Sequence, residues 1–178
     1  SNFAGQLGDG NLGQRSLVPV LVSGLTDVID LNIGGGFSCA ARMDGSVWCW
    51  GESSNLGTDQ LPPGQPSDVP VQVDFIDDAV ALGKSSGCSS SACAIRSNET
   101  LWCWGDNSEG NLGDGTLANL AIIPVQTVDL LQIVSAANGL HHSCACASDG
   151  QAHCWGAANN ASQFGQLGTG FFPGGTTA

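Results

Sequence analysis

A chain of 178 residues, 42% of them hydrophobic, is long enough to bury a core, while 26 glycines and 7 prolines exclude an architecture of long helices. Sixteen acidic residues against four basic ones give a formal net charge of −12. That balance excludes a phosphate backbone or an anionic bilayer as an electrostatic partner, and no apolar stretch reaches the length of a membrane span.

In chain order, the first unit (1–51) opens on the glycine-studded loop GQLGDG at 5–10. Residues 18–22 follow as a predicted short strand opened by Pro19, and 27–33 as a second, alternating one. Gly34, Gly35 and Gly36 break that run. The segment 39–51, CAARMDGSVWCWG, then reads as a β-hairpin. It returns as CAIRSNETLWCWG at 93–105 and as CACASDGQAHCWG at 144–156. Asp44-Gly45 and Asp149-Gly150 predict a three-residue turn whose last member takes a positive φ; the middle copy offers Ser97, Asn98 and Glu99 instead. With that turn, Cys39 faces Cys49, Cys93 faces Cys103 and Cys144 faces Cys154 across paired strands, at a separation a disulfide spans. Closing each eleven-residue loop would contribute about 2 to 3 kcal/mol in the chain-entropy model, and disulfides point to an oxidising compartment.

The second unit (52–105) opens on NLGTD at 55–59, crosses a loop containing Pro62, Pro63 and Pro66, and continues through Val69-Pro70-Val71 and a strand at 80–82. The third (106–156) opens on GNLGDG at 110–115 and continues through Ile123-Pro124-Val125. Pro19 to Pro70 and Cys93 to Cys144 are each 51 positions, whereas Pro70 to Pro124 and Cys39 to Cys93 are each 54. The difference locates a three-residue insertion in KSSGCSSS, between Lys84 and Ala92. A period near fifty with four short strands per unit is the pattern of β-propeller blades. The expected fold is therefore all-β: four-stranded antiparallel blades, about three plus a partial fourth at 157–178, where GQLGTG (165–170) begins another unit. Three blades are too few to close a ring, so the array is expected to be open, or completed by other chains or by further sequence. With neither an initiator Met nor a signal peptide at its start, the chain is expected to be a processed or excised piece.

The succession of a GQLGDG loop, V-P-V, G-x-x-x-S-C-A and D-G-S-V-W-C-W-G resembles the repeat of the regulator of chromosome condensation family, in the cysteine-rich form of its bacterial and extracellular members. The resemblance covers essentially the whole chain. It implies a propeller with one four-stranded blade per repeat, most often seven in a full-length member. The founding member exchanges guanine nucleotide on a small GTPase and binds chromatin; no segment here maps onto its partner contacts, and the net charge argues against DNA. Other members resemble inhibitors, adhesins and scaffold modules.

Trp50, Trp104 and Trp155 share one repeat position and are read as blade-packing residues. Trp48 and Trp102 share another, where the third unit carries His153. His141 and His142 precede Ser143, and position 142 matches a His common in the family; a structural role is the expected one. Cys146 falls where the other units have Ala41 and Ile95, an inward position, and Cys88 falls in the insertion. Either they form a fourth, interblade disulfide, Cys88–Cys146, or Cys146 is buried and free and Cys88 exposed. Asn98 and Asn160 head N-glycosylation sequons. The run from Asp106 to Gly110 resembles a calcium loop but lacks the glutamate that would complete it. No catalytic, cofactor-binding or metal-binding residue is assigned, and no cofactor is expected. The expected function is a secreted or cell-surface, non-catalytic module for protein interaction, adhesion or assembly. The partner is another protein or a second copy, since copies associating head to tail would form a ring or filament, with the Phe171-Phe172 tail as a docking segment. The alternatives are a glycan-binding propeller using exposed aromatics and a GTPase-regulating exchange factor.

Overall fold

The computed structural model describes residues 2–62, 64–156 and 167–168. Among these residues are twelve strands and one short 3-10 turn at Ser53–Asn55. The first sheet orders β1 (Val28–Ile33), β2 (Phe37–Arg42), β3 (Val47–Gly51) and β4 (Ser67–Gln72) in sequence. The second holds β5 (Ala79–Leu82), β7 (Ser91–Arg96), β8 (Leu101–Asp106) and β9 (Leu120–Gln126). The third is built from β10 (Ile133–Asn138), β11 (His142–Ala147) and β12 (Ala152–Gly156), with the two-residue β6 (Lys84–Ser85) added in parallel beside β10.

The hairpins form in the expected register, Cys39 opposite Cys49, Cys93 opposite Cys103 and Cys144 opposite Cys154. Their turns share one geometry, with φ of 84° at Gly45, 64° at Glu99 and 87° at Gly150. The middle turn keeps it without glycine because Asn98 replaces the aspartate chemistry: its Oδ1 accepts hydrogen bonds from the backbone N–H and the hydroxyl of Thr100, as Asp44 does from Ser46. A glutamate at positive φ costs backbone energy that glycine does not. Glu99→Gly is therefore expected to raise stability by about 0.5 to 1 kcal/mol in urea denaturation; no gain would mean that the exposed Glu99 side chain makes compensating contacts.

The sheets do not coincide with the sequence units. The Val69-Pro70-Val71 and Ile123-Pro124-Val125 runs pair backwards, β4 onto β3 of the first sheet and β9 onto β8 of the second. The first and second sheets thus take their outermost strands from the following unit, and the chain stitches these blades to the next. Pro70 and Pro124 lie in these outer strands, where a missing N–H blunts an otherwise pairable edge. The same logic corrects the strand expected at 18–22. That segment is not a strand, and Leu17, Val18 and Leu21 are exposed, because among the described residues no strand lies beside it to pair with. The third sheet likewise lacks an outer Val-Pro-Val strand among the described residues, and its fourth member is β6 at the opposite edge.

Two apolar layers hold the three sheets together. Between the first and second, Phe37, Ala41, Val47, Leu56 and Val73 meet Leu82, Ala92, Ala94 and Trp104. Between the second and third, Ile95, Leu101, Leu112 and Leu130 meet Ile133, Ala145 and Ala147. The alternation of β7 puts successive residues on opposite faces, so the middle hairpin packs Ala92 and Ala94 toward the first sheet and Cys93 and Ile95 toward the third. Burying each large side chain in these layers is worth about 1.5 to 3 kcal/mol.

Candidate functional site

The repeated tryptophans act as latches. The indole Nε1 of Trp50 donates to the carbonyl of Gln6 at 2.9 Å, that of Trp104 to Asn55 at 3.0 Å and that of Trp155 to Asn111 at 2.8 Å. Each acceptor lies in a G-Q-L-G, S-N-L-G or G-N-L-G loop, and the following leucine, Leu56 or Leu112, enters an interblade core. The loop's last glycine permits this approach. A Cβ at Gly8 would lie 2.7 Å from Trp50 Nε1, and one at Gly113 would lie 2.6 Å from Trp155 Nε1. Asn2 and Asn107 tie the loop from behind, each accepting with its side-chain oxygen the N–H of the leucine five positions on. Sequence reading passed over both, although the shared spacing N-x-x-G-x-L-G was there to be seen.

The three hairpin cysteine pairs are joined as Cys39–Cys49, Cys93–Cys103 and Cys144–Cys154. The first lies in the layer between sheets one and two, the second in the layer between sheets two and three. The third occupies the matching face of the third sheet and is only half-buried. The Cys88–Cys146 bridge does not form: both residues are free, and both are exposed. Two facts of placement account for this. Cys146 shares the face of Cys144 and Cys154, which no described sheet covers, whereas its counterparts Ala41 and Ile95 are covered by the next sheet. Cys88 lies on the other side, its backbone beside Gly35 of the first sheet. The burial expected for Cys146 fails for the same reason.

The insertion at 84–92 is the busiest junction. Lys84 Nζ bonds the Asp30 carboxylate, Ser85 exchanges hydrogen bonds with the buried Asn32, and Gly35 donates to the carbonyl of Ser89, all toward the first sheet. On its other side β6 pairs with β10, Lys84 opposite Ala137 and Ser85 opposite Asn138. One short segment thereby ties the inner strands of three sheets. Burial pushes the Asp30 carboxyl upward, but hydrogen bonds from the Leu82 and Leu31 N–H groups and the Lys84 ammonium outweigh it, and the group sits below its ordinary value of 3.8. A lowered folded-state value means stability that is fully present above the unfolded value and lost as pH falls through the folded one. Acid titration of the urea midpoint should therefore show a loss below pH ~4, and Asp30→Asn should remove part of that loss while lowering the plateau at neutral pH. A variant with an unchanged pH profile would show that the pair is not linked to folding.

Of the other singled-out residues, Trp48 and Trp102 are half-buried and donate to Ser46 and Thr100 hydroxyls two positions earlier. Trp102 also carries the Arg96 guanidinium over its ring at 5.4 Å. His142 occupies the place of Phe37, its ring lying on Gly139 as the Phe37 ring lies on Gly34; His141 is exposed. Asp106 bonds Ser108 within its own turn, so the calcium-like run is organised by hydrogen bonds inside the loop. Asn98 stands at an exposed hairpin tip. Asn160 and Phe171-Phe172 lie outside the described residues. No cluster of three or more histidine, cysteine or acidic side chains with metal-ligand geometry occurs among the described residues, and no helix there is long and apolar enough to cross a membrane. A cleft of about 370 Å³ opens between the second and third sheets, against His153 and Trp155.

Residues 98–146 match the model of the Regulator of chromosome condensation (RCC1) repeat. The chain is 31% identical over 164 residues to RCC1 domain-containing protein RUG3, mitochondrial, of Arabidopsis thaliana, covering 87% of this chain and 36% of that protein. It is 27% identical over 140 residues to E3 ubiquitin-protein ligase HERC2 of Mus musculus, covering 75% of this chain and 3% of that protein. Among solved structures, yeast RCC1 (Prp20), crystallised with Kap60, is similar with a TM-score of 0.72 at 20% identity over 88% of this chain and 38% of its own. The chain thus spans little more than a third of RUG3 and a small fraction of HERC2. These matches support the resemblance carried by the repeated loops, and the fold is that of RCC1-type β-propeller blades.

Proposed function

We propose that this chain is a non-catalytic, protein-binding array of RCC1-type blades that works in an oxidising setting, secreted or at a cell surface. The observation that carries this reading is a division of labour. The side chains shared by all three repeats (the Trp50, Trp104 and Trp155 latches and the paired cysteines) are spent on joining strands and blades. Chemical variety is left to the surface, at the insertion, the hairpin tips and position 153. The likeness to a propeller solved in complex with Kap60 supports protein binding as the kind of activity such blades perform. Protein taken from its native source, denatured and alkylated without reduction, should show two modified cysteines per chain, Cys88 and Cys146. Eight modified cysteines would place the protein in a reducing compartment and turn attention to the exchange-factor reading, for which accelerated nucleotide release from a small GTPase is the assay. Glycan-array binding that disappears in Trp48 or Trp102 variants would favour the lectin reading instead.

A second reading, association with another blade of the same kind, has its own observation. Leu31 and Ile33 are 57% and 63% exposed on a face whose counterpart in the second sheet, Leu82, is 3% exposed beneath the first. The face of the third sheet carrying Cys144–Cys154 is the complementary half of such a contact. A blade from a second copy fits both, in a heterologous interface that closes to a ring or grows to a filament. Light scattering of the oxidised chain should then give a discrete multiple of 18.0 kDa or very large species, and a single-chain mass would refute it.

A further inference from the structure

The three hairpin turns do one structural job with different residues at their heads. In the first, Asp44 Oδ1 accepts hydrogen bonds from the N–H and the hydroxyl of Ser46, and that hydroxyl accepts the indole N–H of Trp48 at 3.0 Å. In the second, Asn98 Oδ1 accepts from the N–H of Thr100 at 3.2 Å and from its hydroxyl at 2.7 Å, and the hydroxyl accepts the indole N–H of Trp102 at 3.1 Å. In the third, the Asp149 carboxylate accepts from the N–H and the side-chain amide of Gln151. An acceptor oxygen at the head of the turn is what this geometry requires, and aspartate supplies it twice. Asn98 supplies the same oxygen and adds an amide nitrogen. Among the described residues that Nδ2 has no hydrogen-bond partner, and Asn98 is exposed.

We infer that Asn98 is a modification site that carries an N-linked oligosaccharide. Asn98-Glu99-Thr100 is an acceptor sequon, with a hydroxyl two positions on and no proline between. In the transfer, Nδ2 attacks the anomeric carbon of an oligosaccharide carried on a lipid diphosphate. The C–N bond forms as the bond from that carbon to the diphosphate oxygen breaks; the oxygen leaves with the bonding electron pair, and Nδ2 gives up one of its protons. No oxidant or reductant takes part. The product fits the folded turn. A glycosylated asparagine keeps its carbonyl, so both bonds from Thr100 survive, and the sugar replaces a hydrogen that bonds to nothing among the described residues. The site also clears the blade contacts. Ser97 N–H bonds the Asp78 carbonyl and Ile133 N–H bonds the Glu99 carbonyl, which fixes the tip on both sides, and Asn98 belongs to neither apolar layer. A bulky, hydrated group at the tip therefore leaves the sheets in contact. The tips headed by Asp44 and Asp149 have no amide nitrogen to modify, so among the described hairpins the oligosaccharide marks the middle blade alone. The inference rests on the secreted reading proposed above, since this transfer belongs to a secretory pathway.

The test is peptide mapping of the chain from its native source, alkylated without reduction and reduced only before digestion. Cleavage after Arg96 and Trp102 isolates residues 97–102 from the second sequon at Asn160. That peptide should carry an oligosaccharide in most chains, and its release by peptide N-glycosidase in heavy-oxygen water should leave a labelled aspartate at position 98. Alkylation of Cys88 and Cys146 alone, with an unmodified Asn98, would overturn the inference and leave the secreted reading standing. Alkylation of all eight cysteines with an unmodified Asn98 would overturn both. Asn98→Asp separates modification from folding, because it gives the middle turn the head residue of the other two. Secreted from eukaryotic cells, the unaltered chain should yield the glycosylated 97–102 peptide. N98D should lose the modification and keep the melting temperature of the enzymatically deglycosylated chain, whereas Thr100→Ser, which keeps the sequon and matches Ser46, should retain the sugar. An unmodified 97–102 peptide in the secreted, unaltered chain, or a sugar that persists on that peptide in N98D, would overturn the assignment.

Discussion

Replacing Cys93 and Cys103 together by alanine is expected to cost 4 kcal/mol or more, roughly 3 from the lost loop closure and about 1 to 2 from the void left in the interblade layer. Cys144→Ala with Cys154→Ala should cost only the first part, about 3 kcal/mol, because the two loops have equal length but different surroundings. Cys93 and Cys103 are buried among Ile95, Leu101 and Leu112, and Asn138 Nδ2 donates to the Cys93 sulfur at 3.1 Å. Removing that sulfur strips a buried amide of a partner, a further cost that the half-buried outer pair does not carry. Urea denaturation of both double variants under non-reducing conditions is the measurement. Equal losses would show that burial of the sulfurs adds nothing to the cross-link, and losses below about 1 kcal/mol in both would show that the hairpins hold their register without them.

Trp104→Ala should be the most damaging single substitution, at about 3 to 5 kcal/mol. The ring is completely buried between the first two sheets, and its Nε1 donates to Asn55 across 49 positions of sequence. Trp155→Ala should cost less, since its ring is only half-buried and borders the open cleft. Trp104→Phe separates the two contributions: it keeps most of the apolar area and deletes the donor, leaving the Asn55 carbonyl unpaired for a loss of about 1 to 3 kcal/mol. If Trp104→Phe were as damaging as Trp104→Ala, ring shape and the hydrogen bond would outweigh area; if it were silent, the latch would be apolar packing alone. Both variants should be followed by denaturation at one pH and salt concentration, because Asp30–Lys84 lies in the same interblade contact and responds to each.

The hairpins were readable because their information is local. Ten positions between cysteines, with a turn tripeptide midway, admit one register, and a slip by one residue would turn every side chain to the wrong face. The packing tryptophans were readable for a similar reason, since a residue recurring at one phase of a repeat meets the same neighbour each time. Where the reading failed, the missing fact was which sheet covers which face. Residues 18–22 have the composition of β4 and β9 yet form no strand, for strand pairing requires a neighbour that composition does not supply. Cys146 has the phase of buried Ala41 and Ile95 yet is exposed, for burial belongs to the pair of sheets and not to the position.

The all-β class, the blade period, the three hairpin registers and the cysteines that face one another follow from the order of residues alone, because turn chemistry and side-chain alternation act over a few residues. Contacts between distant segments set that the first two blades take their outer strands from the next unit, that the segment 84–92 ties three inner strands together, and that the change to His153 faces an open cleft. These depend on contacts between segments some fifty residues apart, whose free energy is set by the shape of the surfaces that meet and not by the pattern along either one.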